Sequence, residues 1–486
     1  MNRKHAHWWQ KALGVPVVLC GMVVCLTFCF CCLRFNDLDF WWHLQLGREI
    51  WQSHAIPKLD HWSFTVFGHP WIAHEWLSEL SLYLSYRVAG YQGLQLWLCG
   101  LAGGIVAAVY RLCYRYCGNA SIAVLGGFIA AFFGTIGFAL RPQMIGYLLL
   151  TVELLILQGA APSFRSKRLW LLPPLFVLWV NCHASYPLGL GILALALASA
   201  YGDQLRTGAR GGPSPRFALG LLAACTLALL LNPVGIKLLT YPFNVFLKQR
   251  ASLGFVEEWL PTTVLDPRGV GLLLVLGGLG VAGLTGRARL TAFELLLLLP
   301  VSFLAFEHVR MLFVFGIIAA PVVSRVAAEA LGRAQPATPA KPIHWPSHAF
   351  LLAIMVLCCY GAFPRPARIQ ASIESVNPVK AVEFIRQAGL RGPMLNDGKW
   401  GGYLVWAMPE HKVFIDGRGD IYDWAGVMAR YRDFWLIEDD PSGLLNDYGI
   451  QFCLLQRSAK MAHVMPLLRG WKRLYGDDVA LVFGRE

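Results

Sequence analysis

The sequence predicts a polytopic α-helical membrane protein with about eleven transmembrane helices and a small C-terminal extracytoplasmic α/β domain. Three observations predict this fold class: an apolar composition, a series of bilayer-length apolar segments, and basic residues concentrated in alternate loops. Of the 486 residues, 56% are hydrophobic and only 15% are charged, and the mean hydropathy is +0.50. Soluble domains carry about 25% charged residues. This composition excludes an ordinary soluble enzyme, and it also excludes the disordered, collagen-like and coiled-coil classes.

Apolar segments long enough to cross a bilayer recur along the first three quarters of the chain, and a spanning helix needs about 20 such residues. The first follows Arg3 and Lys4, but it is too long for a signal peptide and has no small-residue cleavage site, so it is predicted to be a retained signal anchor. The predicted spans lie near residues 13–33, 93–113, 121–140, 142–160, 168–182, 184–203, 216–232, 269–285, 289–306, 309–331 and 346–364.

The distribution of basic residues along the chain explains the net charge of +13. The N-terminus and the alternate short loops, counted with the helix ends beside them, hold about sixteen basic residues and only two acidic ones, Asp203 and Glu329. Basic loops stay in the cytoplasm, so the N-terminus is predicted inside and residues 34–92, 233–268 and 365–486 outside. The positive charge is therefore a sign of membrane topology, and we expect no nucleic-acid partner.

The chain divides into two predicted domains. Residues 1–364 form the transmembrane domain, with 34–92 as its first extracytoplasmic loop, and residues 365–486 form the extracytoplasmic α/β domain. A Pro/Ala linker over 335–342 precedes the last span. In the C-terminal domain, the pattern predicts a helix from Ala371 to Gly389, an amphipathic stretch over Trp424–Trp435, and strands around Val413–Ile415, Gln451–Leu455 and Val479–Phe483.

In the predicted topology, the polar residues that interrupt the apolar segments all lie on one side of the membrane. On the assigned topology they all lie at the non-cytoplasmic ends of helices. Polar groups at membrane depth are costly and tend to face a cavity or a partner. The sequence therefore predicts a site that opens to the outside. Its members include Asp37, Asp39, Arg141, Gln143, His183, Glu307 and Arg310, with Asn181, Asn232 and the pair Glu257-Glu258 at the same level.

Asp37 and Asp39 are the strongest candidates for chemistry. They stand beside Trp41 and Trp42, and a carboxylate in partly apolar surroundings can have its pKa raised into the working range of a general base. Two carboxylates one residue apart can also bind a divalent cation together with a phosphate. The alternative interpretation is that both acids only mark the membrane interface.

Other candidates also have a structural interpretation. Arg141 precedes a proline and is either an anion ligand or a helix boundary. His183 is either a site residue or an interfacial histidine, and Glu307 could pair with Arg310 at a helix end. A zincin motif starting at His74-Glu75 is excluded because position 78 is serine, and the sequence has no P-loop.

The acid pair after the first span, the many apolar helices and the extracytoplasmic tail resemble the glycosyltransferase C superfamily. That superfamily includes protein O-mannosyltransferases, aminoarabinose transferases of lipid A and the RgtA/B/C/D-like enzymes. More closely, the chain resembles bacterial polytopic membrane proteins with a first-loop motif D-x-D-x-W-W-H-L-x-x-G. This motif and the others of that group stand here at Asp37 to Gly47, Pro57 to Thr65, Trp71 to Leu77, Arg141 to Gln143, Trp179 to His183, Asn232 to Gly235, Gly401 to Leu404 and Phe414 to Arg418.

The resemblance implies transfer of a sugar from a polyprenyl-phosphate donor to a cell-envelope acceptor, in the bacterial cytoplasmic (inner) membrane. Asp37 or Asp39 would be the general base, and Arg141, His183 or Arg310 would stabilise the lipid phosphate. The resemblance leaves open whether Asp37 and Asp39 bind a divalent metal ion. Further substrate contacts are expected from His43, Asp60, His74, Glu75, Gln143 and Glu307.

Two matters stay open from the sequence. The Gly-rich segment Asp416–Asp420 either helps to bind an acceptor or forms a tight turn. The protein itself is either the glycosyltransferase or a non-enzymatic carrier, flippase or scaffold for lipid-linked glycans. A transporter favours polar residues near the bilayer midplane in two corresponding halves. The polar residues at outer helix ends favour the enzyme.

Overall fold

The computed structural model describes residues 14–32, 37–161, 163–164, 166–208, 212–248, 257–333 and 345–486. The basic N-terminus and the predicted linker lie outside these residues. The helices of the membrane half are α1 (Val15–Cys31), α2 (Phe40–Ser53), α3 (Trp76–Cys117), α4 (Ala120–Gly134), α5 (Gln143–Ala160), α6 (Leu172–Cys182), α7 (Tyr186–Thr207), α8 (Pro215–Ala228), α9 (Ile236–Lys248), α10 (Pro267–Leu284), α11 (Ala292–Glu307), α12 (Met311–Ala330) and α13 (Trp345–Ala362).

Each predicted span coincides with a helix or with part of one, while α2 and α9 lie in the loops between spans. Among the described residues, five helices (α3, α5, α7, α10 and α12) are long and apolar enough to cross a membrane. A sixth is added if α13 and the next helix, bent by 49° from it, count as one span. Helices α1, α4 and α8 are apolar but shorter. The count of eleven and the orientation in the membrane stay predictions.

Helix α3 consists of two parts joined at a kink. Ala89 and Gly90 leave the helical conformation there, and Gly90 has φ +59, a left-handed conformation that glycine adopts without strain. The part before the kink packs against the amphipathic helix α2. This packing is close at Gly47, where a Cβ would lie 2.2 Å from the carbonyl oxygen of Glu79. Glycine therefore lets α2 approach the first part of α3.

The C-terminal region forms a mixed four-stranded sheet in the order β1-β2-β4-β3. Strands β1 and β2 are parallel and the other two pairs are antiparallel. Its elements are α14 (Pro366–Val376), α15 (Val379–Gln387), β1 (Met394–Asn396), α16 (Gly398–Ala407), α17 (Gly419–Trp424), α18 (Val427–Leu436), α19 (Pro441–Asp447), β2 (Phe452–Gln456), α20 (Lys460–Val464), β3 (Trp471–Gly476) and β4 (Ala480–Arg485).

Two local predictions for this region are wrong. The helix predicted from Ala371 to Gly389 is broken, because Asn377 before Pro378 is extended, with φ −108 and ψ 151. The segment Val413–Ile415 is not a strand of the sheet. Its backbone pairs instead with the first loop, where the Val413 amide donates to the Trp62 carbonyl over 3.0 Å.

The C-terminal region packs directly on the first loop. The Thr65 hydroxyl donates to the Phe414 carbonyl over 2.6 Å, and Ser63 forms an isolated parallel bridge with Val413. Trp41 of α2 is fully buried, with its ring centroid 5.1 Å from that of Tyr403 in α16. The sheet region is thereby held over the loop that carries the acid pair.

A candidate active site beneath the C-terminal region

A polar cavity of about 250 Å³ lies where the loops of the helical half meet the C-terminal region. Loops that are far apart in the sequence contribute to its wall, and all of them come from the same end of the helices. The predicted site residues in this wall are Asp39, His43, His74, Glu75, Arg141, Gln143, His183 and Arg310. The structure therefore brings together most of the residues that the sequence marks.

Arg141 holds three carboxylates at one side of this cavity. Its Nε and Nη2 donate to the two oxygens of Asp37 over 2.7 and 3.0 Å. Nη2 also lies 2.8 Å from Asp39 Oδ2, and Nη1 lies 2.7 Å from Glu258 Oε1. Bidentate pairs of this kind fix both partners in orientation. Arg141, which the sequence offered as a phosphate ligand, is therefore already paired with acids.

Asp37 and Asp39 have different surroundings. The Asp37 side chain is 12% exposed, accepts both donors of Arg141 and also accepts the Asp39 backbone amide over 3.0 Å. The Asp39 side chain is 41% exposed and faces the cavity. The surrounding protein still removes enough water to raise the pKa of Asp39 to about 6, while Arg141 acts to lower that pKa. Asp39 is the acid that a substrate can reach.

A second group in the cavity consists of buried histidines and glutamates. His43 Nδ1 lies 2.9 Å from Glu79 Oε1. Glu75 Oε1 lies 3.4 Å from His183 Nε2 and 3.7 Å from His74 Nε2. Burial raises the pKa of Glu75 to about 8 and lowers the pKa of His74 to about 4 and that of His183 to about 3. Both histidines are therefore neutral at neutral pH.

Arg310 is a cavity cation with no acidic partner among the described residues within 4.0 Å. Its guanidinium lies over the Trp259 ring, 4.5 Å from the centroid, and Nη2 is 3.4 Å from Gln143 Oε1. Cation–π contact supports such a group without neutralising its charge. The Arg310 charge therefore stays available to an anionic ligand.

A second, mostly apolar cavity of about 410 Å³ continues from the polar one between the helices. It is lined by side chains of α5, α7, α9, α11 and α12, including Tyr147, Leu188, Val245, Leu304 and Val314. Several residues line both cavities, so the two spaces adjoin. The shared residues are His74, Glu75, His183, Tyr241, Val245, Trp259 and Arg310.

The C-terminal region supplies a further wall through Gly417, Arg418 and Asp420. Arg418 is 3% exposed and donates to Asp60 and Asp416, and its guanidinium lies over the Trp62 and Trp71 rings, 4.4 and 4.5 Å from their centroids. Asp60 of the first loop and Asp416 of the C-terminal region thus hold the same guanidinium. Asp420 accepts from the Tyr241 hydroxyl over 3.0 Å, and burial raises the pKa of Asp420 to about 6.

Three predicted site residues lie elsewhere. Asp37 sits behind Arg141, and Asp60 is 1% exposed, with its oxygens used by Arg418 and Ser63. Glu307, the last residue of α11, is exposed and lines neither cavity. The Glu307–Arg310 pair is not formed among the described residues. Sequence reasoning missed Trp42, Glu79 and Tyr241 in the wall. Their local sequence carries no sign of this placement, because it depends on how α2, α3 and α9 pack together.

No family model matches the sequence, and no curated protein sequence is significantly similar to it. Solved structures do match its fold. The oligosaccharyltransferase of Archaeoglobus fulgidus, in the form tethered to an acceptor peptide, superposes with a TM-score of 0.55 and 11% identity, over 93% of this chain and 69% of the other. Its apo form gives a TM-score of 0.52 and 12% identity, over 92% and 70%.

ArnT from Cupriavidus metallidurans, bound to undecaprenyl phosphate, matches over nearly the whole length of both chains. The TM-score is 0.51 and the identity 13%, over 95% of this chain and 97% of ArnT. Identities this low show the fold alone. The chain therefore has the fold of the multi-pass membrane glycosyltransferases of superfamily C. The resemblance stated from the sequence is confirmed at the level of the fold.

Proposed function

We propose that the protein is a membrane glycosyltransferase that transfers a sugar from a polyprenyl-phosphate donor to an acceptor of the cell envelope. One observation carries this proposal. A polar cavity with an accessible carboxylate, Asp39, adjoins an apolar cavity between helices, and both are lined by Arg310, a cation with no acidic partner among the described residues. An isoprenoid chain suits the apolar cavity, a phosphate suits Arg310, and a sugar suits the polar cavity.

Asp39 acts as the general base in this proposal. Its carboxylate takes the proton from the acceptor hydroxyl as the hydroxyl oxygen forms a bond with the anomeric carbon of the sugar. The bond between that carbon and the phosphate oxygen breaks, and its electron pair leaves with the polyprenyl phosphate. Asp37 and Glu258 keep Arg141 against Asp39 and so fix where the base points.

Arg310 stabilises the phosphate as its charge develops. Fixed donors at the site of developing charge are the commonest large contribution to catalysis. His183 assists as a neutral donor. Its Nδ1 accepts the Ser185 amide over 3.2 Å, so its proton is on Nε2, which faces Glu75 inside both cavities. Arg141 has a different role, since three carboxylates already surround it.

The arrangement of Asp37 and Asp39 bears on whether this pair binds a divalent cation. In the described geometry the Arg141 guanidinium already neutralises these two carboxylates. A cation at the pair would have to displace Arg141, so the residues as arranged fit a guanidinium better than a metal. The proposed transfer therefore uses no metal at this pair.

The proposal also covers the membrane in which the protein lies and the side to which the cavity opens. Multi-pass insertion in the bacterial cytoplasmic membrane, with the C-terminal region outside, gives the cavity access to lipid-linked sugars and to envelope acceptors. The basic residues of the alternate loops support this orientation. The alternative is a non-enzymatic carrier, flippase or scaffold that binds the lipid-linked sugar and transfers nothing.

Replacement of the two aspartates tests the enzyme. Purified Asp39→Asn, Asp37→Asn and unchanged protein are placed in proteoliposomes with undecaprenyl-phosphate hexoses carrying a labelled sugar, and with envelope glycans as acceptors. Released undecaprenyl phosphate and labelled acceptor are measured. Asp478→Asn is the matched control, because Asp478 is exposed on the loop between β3 and β4.

We expect Asp39→Asn to lose transfer roughly 10²-fold or more, in the range of a general base, while Asp478→Asn keeps it. Full activity in Asp39→Asn removes the proposed base. If the unchanged protein binds undecaprenyl phosphate and releases none from any donor, the carrier is the better interpretation.

A further inference from the structure

His43, Glu75 and Glu79 form a compact group in the wall of the polar cavity, separate from Asp37 and Asp39. One ligand atom from each lies within 4.8 Å of the other two. All three residues are at most 9% exposed. Among the described residues, no lysine or arginine lies within ion-pair distance of either glutamate, whose ion-pair contacts are all with histidines. Two carboxylates are thus buried together without a fixed cation.

One atom of this group has no partner. Glu79 Oε1 is 2.9 Å from His43 Nδ1, while Glu79 Oε2 is buried and makes no hydrogen bond with any described residue. Glu79 is only 1% exposed. Buried polar atoms without a partner are rare in native proteins, and each calls for a strong local reason, such as a ligand or an ion. The Glu79 side chain lines the cavity, where such a ligand would lie.

The scaffold holds these side chains in fixed positions. His43 and Gly47 are four residues apart on α2 and so share one face, which packs on the first part of α3. The contact at Gly47 leaves no room for a Cβ beside the Glu79 carbonyl. Helix packing therefore sets the separation between His43 and Glu79, and a ligand site on two packed helices is preorganised.

Of the two neighbouring histidines, His74 is oriented as metal-site histidines commonly are. His74 Nδ1 lies 3.2 Å from the Ile72 carbonyl, so it carries the proton and donates it. The lone pair of His74 Nε2 then faces Glu75, 3.7 Å away. A metal-ligating histidine usually donates its other ring N–H to a backbone carbonyl or a carboxylate in this way. His183, with its proton on Nε2, has no lone pair facing Glu75 and is therefore not a ligand in this geometry.

We propose that His43, Glu75 and Glu79 bind one divalent transition-metal ion, with His74 as the nearest further ligand. One or two imidazoles with two carboxylates is a borderline nitrogen and oxygen set, which suits Zn²⁺ best and Mn²⁺ or Fe²⁺ less well. The ion neutralises the buried carboxylates and gives Glu79 Oε2 a partner. This inference concerns metal binding and stands whether or not the proposed transfer reaction is correct.

Metal binding by the full-length protein tests the proposal directly. The purified protein in detergent is stripped with a chelator and dialysed against Zn²⁺, and bound metal is measured by mass spectrometry. Affinity is measured in competition with a zinc-binding dye. The variants are Glu79→Gln and His43→Gln. Glu49→Gln is the matched control, since Glu49 also lies on α2 but pairs with His61 outside the cavity. Asp37→Asn reports on the other acid pair.

We expect about one Zn²⁺ per chain in the unchanged protein, in Glu49→Gln and in Asp37→Asn. The affinity should fall at least a hundredfold in Glu79→Gln and in His43→Gln, because each variant removes a direct ligand and outer-shell changes alone cost 10- to 100-fold. Zinc K-edge absorption of the unchanged protein adds a readout that needs no variant to fold, and it should show nitrogen and oxygen neighbours with imidazole scattering. Absence of bound metal in the unchanged protein overturns the proposal. So does metal that persists in both ligand variants, or that disappears with Asp37→Asn and not with Glu79→Gln.

Discussion

Gly417 of the C-terminal region lies against Asp39 of the first loop so closely that a Cβ on Gly417 would be 3.0 Å from Asp39 Oδ1. The same Cβ would be 2.8 Å from Trp42 Nε1. The φ of Gly417 lies outside the left-handed region, so this glycine is required for the close approach and not for its backbone conformation. The tail thus shapes the space directly around the candidate base.

Gly417→Ala is expected to displace Asp39 and Trp42 with little loss of stability. The added methyl group must push one of them, and misplacement by about 1 Å can cost roughly 10²-fold in rate. Steady-state transfer in proteoliposomes measures the effect. The control is Gly443→Ala, an exposed helical glycine whose Cβ would meet nothing within 4 Å. Equal rates in Gly417→Ala and the unchanged protein would contradict the role of this contact.

Arg418→Met is expected to loosen the C-terminal region from the first loop. Arg418 is the buried cation shared by Asp60 and Asp416, and removal of one partner from a buried ion pair costs about 3–5 kcal/mol. A lower midpoint of thermal unfolding and faster cleavage by protease between the two parts measure it. Arg430→Met, which removes an exposed pair with Asp447, should cost at most about 1 kcal/mol. An unchanged melting midpoint in Arg418→Met would count against this account.

Arg310→Gln is expected to keep the fold and to lose the contact with the donor phosphate. No acidic partner among the described residues depends on Arg310, so nothing is left buried and unpaired when its charge is removed. Loss of one group that stabilises developing charge lowers kcat by roughly 10²- to 10³-fold. Arg87→Gln is the control, because Arg87 lies over the Trp51 ring away from both cavities. A transfer rate within twofold of the unchanged protein would remove Arg310 from the mechanism.

The pH profile of transfer should reflect Asp39. Its pKa is raised to about 6, and the base works only as the carboxylate, so kcat/KM should fall as the pH drops through about 6. Arg141 acts to lower this pKa, so Arg141→Gln should move the midpoint to higher pH. The raised pKa also means that ionised Asp39 opposes folding above pH 6, so Asp39→Asn should not melt at a lower temperature at pH 7. A midpoint that does not move in Arg141→Gln would mean that another group titrates.

Much of the helical half could be predicted, because bilayer-length apolar segments are a direct consequence of solvation. The gathering of Asp39, Arg141, His183 and Arg310 in one cavity followed from topology alone, since alternate helix ends meet at one face. The partners of Arg141 could not be predicted, because its contacts with Asp37 and Glu258 depend on how loops more than 100 positions apart pack together.

The contributions of Asp60, Glu79 and Arg418 were beyond sequence reasoning for a related reason. Asp60 is predicted from the sequence to contact substrate, but in the fold it is a buried partner of a guanidinium 358 positions away. Glu79 reads as a helix-surface acid, but the packing of α2 at Gly47 buries it. Periodicity describes one segment at a time, and these burials arise only where two segments meet.

The pairing of the first loop with the tail has a consequence for how the protein is made. Thr65 and Phe414 are 349 positions apart, and at roughly 5 to 20 residues per second the ribosome needs tens of seconds to connect them. During that interval the acid pair has been synthesised while Gly417, which closes its surroundings, has not. The cavity is therefore completed only after Gly417 has been synthesised, and a nascent chain that has not yet reached this residue holds no finished cavity.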